Sequence, residues 1–183
     1  MQTKVPPPEF SRIVKADSVQ RGEVVEVIEA DEAERAALAV RFELEAIGRL
    51  KATVRLRRTQ GGEMVRVVGA LEADVVQTCV VTLESVHNSV TDRFESLFAP
   101  PELVPDSPED MEFDASMADE DIIEPIVNGR IDIGELTAQH LSLALDPYPR
   151  CPGVELPEGA EDEDEEPVER PNPFAALERL KRP

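Results

Sequence analysis

Residues 49–57 read Arg-Leu-Lys-Ala-Thr-Val-Arg-Leu-Arg, an alternation in which every second side chain is polar and all but one of those is cationic. Successive side chains of a strand point to opposite faces, so Leu50, Ala52, Val54 and Leu56 are expected on one side and Arg49, Lys51, Thr53, Arg55 and Arg57 on the other. Arg58 at the following turn and Arg66 on the returning strand extend the basic set. Cations spaced along a sheet surface can hold the phosphates of an RNA backbone, and such contacts position a nucleic acid without reading its sequence. The aromatic side chains that stack bases are missing from the segment. The candidate nucleic-acid-binding residues are therefore Arg49, Lys51, Arg55, Arg57, Arg58 and Arg66, with backbone contact as their chemistry. The same pattern fits a solvated sheet face balanced by Glu43, Glu45, Glu63 and Glu72.

Other chemistry is thinner. Cys79, His87, His140 and Cys151 make up the ligand inventory of a structural zinc site, but their separations match none of the close-paired zinc spacings, so no metal site is expected. Cys79 reads as a small apolar residue near a sheet edge, and His140 as a half-buried partner of an acid on the border of a helix stripe. Asp119, Glu120, Asp121 and Glu124 could hold Mg²⁺ for a nuclease, yet they fall in a segment without fixed geometry. A nucleophile elbow, a phosphate-cradling glycine loop and a paired-histidine metal motif are all missing. No catalytic residue and no cofactor is expected. The six acids of 161–166 can imitate a phosphate backbone toward a basic protein, or act as a solubilising spacer. Beyond them Phe174, Leu177 and Leu180 form an apolar stripe that can dock on a partner or fold back on the chain's own domain.

The elements that must position these groups follow from composition and period. The chain has 183 residues, 41% hydrophobic and 32% charged, and carries a net charge of −20, of which −3 falls in residues 1–98 and −17 in 99–183. That size predicts one main domain with appendages. The overall field repels nucleic acid, so RNA can be held only at a local basic surface, and a basic protein suits the global charge. No run is apolar enough to cross a membrane, and "MQTKVPPPEFSRIV" lacks the apolar stretch of a secretory signal, which predicts a cytoplasmic protein without a membrane partner. Two cysteines far apart in such a chain predict reduced thiols rather than a structural disulfide.

The opening prolines predict an extended arm to about Val19, and "GEVVEVIEA" a short strand. Asp31 is placed to cap a helix that gives way near Leu38 to strand-like alternation of Val40, Phe42, Leu44 and Ala46. Residues 49–58 and 63–81, joined by "TQGG", predict an antiparallel hairpin in which Gly69 marks a bulge. A third strand runs through Val86, Val90, Phe94 and Phe98. Residues 99–121 read as an acidic, proline-rich loop. Asp132 with Glu135 three residues on is a capping-box arrangement opening a helix whose stripe is Ile133, Leu136, Leu141, Ala144 and Leu145, with Pro147 ending it. The expected fold is α+β: an antiparallel sheet of four to five strands covered by one or two helices, within a single domain over 1–152. A disordered acidic tether over 153–170 and a short helix over 171–183 complete the expectation.

Several of these pieces coincide in order: "CVVTLESV" after the hairpin, "FESLF" before the acidic loop, "RIDIGELTAQHLSLALDPYPRCPG", and the closing "NPFAALERLK". Together they resemble the YceD-like large ribosomal RNA subunit accumulation proteins over roughly residues 65–181. The resemblance implies a small non-enzymatic factor of bacterial type, with plastid relatives, needed for normal levels of large-subunit ribosomal RNA. Its gene would typically neighbour that of a small basic ribosomal protein. Many members carry two cysteines in the "CVVTLE" segment and more near position 151. Here Thr82 stands in place of the second thiol, so a zinc site is not carried over. The expected partners are large-subunit ribosomal RNA or a precursor particle, and a basic ribosomal protein. The alternatives are a metal-dependent RNA hydrolase and an acidic escort for a basic ribosomal protein.

Overall fold

The structure, a computed structural model, describes residues 7–19, 22–59, 61–104 and 123–154. The chain divides into two compact units, Met1–Cys151 and Pro152–Pro183, and every element below lies in the first. Residues 105–122, which hold most of the acidic loop expected over 99–121, the tether beyond Val154, and the terminal helix expected with Phe174, Leu177 and Leu180 fall outside the described residues; the start of that loop is described and makes a 3-10 turn at Pro101–Leu103.

The alternating segment forms the expected hairpin. β3 (Ala46–Arg58) pairs antiparallel with β4 (Val65–Thr78), and Gly61 and Gly62 take the positive φ that the connecting turn demands. β5 (Ser85–Ala99) pairs with β4 along its whole length, and β2 (Val24–Glu29) pairs with the other edge of β3. A short β6 (Ile123–Pro125) adds to β5, giving the order β2-β3-β4-β5-β6. This last strand runs parallel to its neighbour, so the five-stranded sheet is mixed rather than wholly antiparallel. β1 (Ile13–Lys15) and β7 (Arg130–Asp132) make a separate two-stranded ribbon. Two helices, α1 (Glu32–Arg41) and α2 (Ile133–Ala144), complete an α+β fold.

Period two decides which side of the sheet is dry. Leu50, Val54, Leu56, Val65 and Val67 have no exposed surface, and Leu71, Val75, Phe94 and Phe98 continue the same face. Leu136, Ala138 and Leu141 of α2 join these side chains in one core with Phe10 of the arm. Each large aliphatic removed from water there contributes about 1.5–3 kcal/mol relative to exposure.

Several local expectations shift. Helix α1 is capped by Asp31, which accepts from Glu34 N while the Glu34 carboxylate accepts from Asp31 N. It runs to Arg41 rather than yielding near Leu38, because Ala37, Leu38 and Ala39 favour helix and Leu38 and Ala39 are buried by it. Strand begins only at Ala46, after Glu43 turns the chain at φ 56°. Gly69 is no bulge: it sits in regular register between Val54 and Phe94. Its missing Cβ makes room for the Phe94 ring, whose Cζ would lie 2.0 Å from such an atom. The ladder irregularity lies instead between Ile47 and Arg49. The proline arm is not extended throughout, since a 3-10 turn at Ala16–Ser18 follows β1. β6 and β7 were unforeseen, although Asn128-Gly129 between them is a hairpin dipeptide and both residues have positive φ.

Asp132 gathers the arm and α2. Its carboxylate caps the helix by accepting from Gly134 N and Glu135 N, and also accepts from Ser11 Oγ at 2.5 Å and Arg12 N at 2.8 Å. Glu135 makes no reciprocal cap and binds Arg41 at 2.8 Å instead, with Arg41 also bound to Glu9 at 2.9 Å. Arg12 reaches Glu34 through two hydrogen bonds of 2.6 and 2.8 Å, a fork that lowers the Glu34 carboxyl below its usual range despite opposing burial.

Candidate functional site

Register turns the solvated side of the sheet into a set of rows that can be read across the strands. Arg57 stands directly opposite Arg66, which is followed on β5 by Leu97. The next row is Val25, Arg55, Val68 and Glu95, and the one after it Val27, Thr53, Ala70 and Arg93. Below these come Glu29, Lys51, Glu72 and Thr91, then Arg49, Asp74 and Ser89. Five of the six expected cations, Arg49, Lys51, Arg55, Arg57 and Arg66, are thus brought onto one face. Arg58 is not among them: its cross-strand partner is the buried Val65, so it points to the opposite side. There its guanidinium donates to the carbonyls of Gly62 and Ala16 and fastens the turn to the arm.

Charge is unevenly spread along this face. Lys51 lies between Glu29 and Glu72 in register, and Arg49 lies opposite Asp74 and pairs diagonally with Glu72 at 4.0 Å. That end is close to neutral. At the other end stand Arg55, Arg57, Arg66 and Arg93, where among the described residues Arg55 lies 3.7 Å from Glu23 and Arg66 pairs with Glu95. Among the described residues no ion pair engages Arg57 or Arg93. Arg93, which the alternating segment alone does not suggest, enters through the pairing of β5 with Ala70. Beside these arginines lie the exposed side chains of Val25 and Val27 on the edge strand β2 and of Val68 on β4. An exposed ion pair such as Arg55–Glu23 contributes only about 0–1 kcal/mol, so a phosphate can replace its carboxylate at little cost.

The four zinc candidates do not converge. His87 lies on the wet face opposite Val76, whereas His140 stacks on Phe94 of the dry face at 4.3 Å and 10°. Burial holds the His140 imidazole below its ordinary pKa, against the pull of Asp92. The two cysteines do come together. Cys79 ends β4 at the turn into β5, and its Sγ accepts from the backbone N–H of Thr82 at 3.4 Å and of Cys151 at 3.3 Å. Both thiols are free. Of the nuclease carboxylates only Glu124 is described, half-buried and with its carboxyl raised by burial against a Ser96 hydrogen bond. No cluster of three or more metal-ligating side chains exists among the described residues. No helix among them is long and apolar enough to cross a membrane.

The family model of the large ribosomal RNA subunit accumulation protein YceD matches residues 67–181. The chain belongs to the YceD family. That match covers β4 from Val67 onward, β5, both short strands after them and α2, so the strand with Arg93 falls inside the YceD region. Arg49, Lys51, Arg55, Arg57 and Arg66 precede it. The YceD family name assigns the process, large-subunit ribosomal RNA accumulation, and leaves the act to be argued from the site. Comparison with curated proteins and with solved structures found no match.

Proposed function

We propose that this YceD-family protein supports large-subunit ribosomal RNA accumulation in the cytoplasm by binding, not catalysis. The basic end of the sheet face is the surface that holds the RNA backbone, whether of free ribosomal RNA or of a precursor particle. The observation that carries the proposal is the directly opposed pair Arg57 and Arg66, with Arg55 in the next row and Arg93 in the row beyond it. Arg66 already meets Glu95, so it is the charge of Arg57, in no ion pair among the described residues, that a polyanion laid along this row compensates. The flat, aromatic-free surface suits phosphate contact rather than base reading. Of the six cations expected from sequence, Arg55, Arg57 and Arg66 are central; Arg49 and Lys51 face acids, and Arg58 serves the turn.

Changing Arg55, Arg57 and Arg93 to Glu tests this. Co-sedimentation with large-subunit precursor particles is expected to fall while circular dichroism stays unchanged; undiminished co-sedimentation removes the RNA role. Intact precursor RNA after incubation with Mg²⁺ is the accompanying expectation, and chelator-sensitive cleavage would restore a hydrolase. The net charge of −17 over residues 99–183 favours a second contact, a basic ribosomal protein held by the acids of 161–166 with Phe174, Leu177 and Leu180. Truncation after Gly153 is expected to abolish its pull-down, and a retained pull-down reduces the segment to a spacer.

A further inference from the structure

Backbone hydrogen bonds clamp the β4–β5 turn against the segment that follows α2. Cys79 N donates to Glu84 O at 2.8 Å, Leu83 N to Cys79 O at 3.0 Å, and Val80 N to Pro149 O at 2.9 Å. This framework brings together two thiols that are 72 residues apart in the chain. Cys79 Sγ receives two backbone N–H donors, an environment that favours a thiolate. Cys151 Sγ lies 3.5 Å from Thr82 Oγ1 and donates to Glu84 Oε2 at 3.9 Å, so one threonine hydrogen-bonds both sulfurs. Exposure distinguishes the two: Cys79 has none, whereas Cys151 is partly open. Nothing in the proposed RNA contact uses either group.

We propose that Cys79 and Cys151 form a redox-active dithiol site whose co-substrate is a low-molecular-weight disulfide, with Cys151 reacting first and Cys79 closing the bridge. Reagent can reach only the part-exposed sulfur. Cys151, losing its proton to solvent, attacks one sulfur of the disulfide RSSR; a new S–S bond forms, the RS–SR bond breaks and RS⁻ leaves. Cys79 thiolate then attacks the Cys151 sulfur and expels the second RS⁻. The dithiol is oxidised to one disulfide, the reagent is reduced to two thiolates, and one proton is released. The Thr82 hydroxyl and then its N–H bring the Cys79 thiol down to about 6, against burial, so the closing nucleophile is ionised at neutral pH. At Cys151 the Thr82 hydroxyl favours ionisation, but burial, the hydrogen bond and charge of Cys79, and Glu84 outweigh it and raise the thiol.

Full-length protein incubated with oxidised glutathione, quenched with maleimide and mapped without reduction decides the matter. The expected product is monomeric, takes up no maleimide, and yields one cross-linked peptide pair containing Cys79 and Cys151. A wild-type product that stops at a stable glutathione adduct, or keeps two alkylatable thiols, overturns the proposal. Cys79→Ser is expected to trap glutathione on Cys151, while Cys151→Ser leaves the enclosed Cys79 reacting slower by on the order of tenfold. Rapid glutathionylation of Cys79 in that variant overturns the assigned order. In Thr82→Val the pH midpoint for bridge closure moves up from about 6 toward the ordinary thiol value of 9.0, and an unmoved midpoint overturns the role of Cys79 as closing thiolate.

Discussion

If the basic end of the sheet grips phosphate, Arg57→Gln should change the salt dependence of RNA binding by a calculable amount. Arg57 and Arg93 take part in no ion pair among the described residues, whereas Arg55 must release Glu23 and Arg66 must release Glu95 before meeting a phosphate. The surface therefore neutralises about two to four phosphates, and at about 0.7 per contact on a single strand the slope of log K against log salt is about −1.4 to −2.8. Raising salt from about 50 to about 200 mM then weakens binding by roughly 7- to 50-fold. Removing Arg57 should make the slope shallower by about 0.7. Glu23→Gln acts in the opposite sense, because it relieves Arg55 of its ion pair, and should tighten binding and steepen the slope. Fluorescence anisotropy of labelled large-subunit ribosomal RNA fragments over a salt series reads both. An unchanged slope in Arg57→Gln, or weaker binding in Glu23→Gln, refutes the assignment of this face.

Gly69→Ala should destabilise the domain by about 1–3 kcal/mol in urea unfolding, because the added Cβ falls within 2.5 Å of three Phe94 ring atoms and displaces the ring that His140 stacks on. Asp132→Ala should cost about 2 kcal/mol in the same assay, since it strips α2 of its cap and the arm of two hydrogen bonds together. His140 is held below its ordinary value of 6.5 in the fold, so the unfolded chain takes up its proton first as pH falls. Stability should decline from about pH 6.5 downward to the lowered folded value, and His140→Gln should remove that part of the decline relative to wild type.

How much of this was legible in sequence depends on which physical rule was at stake. Alternation fixes faces, so the dry side Leu50, Ala52, Val54, Leu56 and the wet side Arg49, Lys51, Arg55, Arg57 could be read directly. It does not fix register. Whether Lys51 faces an acid depends on the length of the 59–64 turn, and only the pairing with Glu72 shows that half the expected basic surface is balanced. Arg58 was misplaced because alternation continues one residue past Arg57 and sends it to the other side. Strands of three residues, such as β6 and β7, offer too little alternation to stand out from a proline-rich neighbourhood, though Asn128-Gly129 was a usable sign. The meeting of Cys79 with Cys151 is a tertiary event, and no local period encodes it.

The acidity of the chain sets a last constraint on any RNA contact. The chain's net charge of −20, to which residues 154–183 contribute ten acids and four bases, repels a phosphate backbone as a whole, and salt screens that repulsion with a Debye length of about 8 Å at physiological strength. Truncation after Gly153 should therefore tighten RNA binding at low salt, where the repulsion is long-ranged, with the advantage shrinking as salt rises and the two forms converging near about 1 M. The same variant is expected to lose the basic ribosomal protein, so the two partners respond to one cut in opposite directions. Weaker RNA binding by the truncated form at every salt concentration would mean that the acidic segment helps hold RNA, and a purely electrostatic division of labour between sheet face and tail would have to be abandoned.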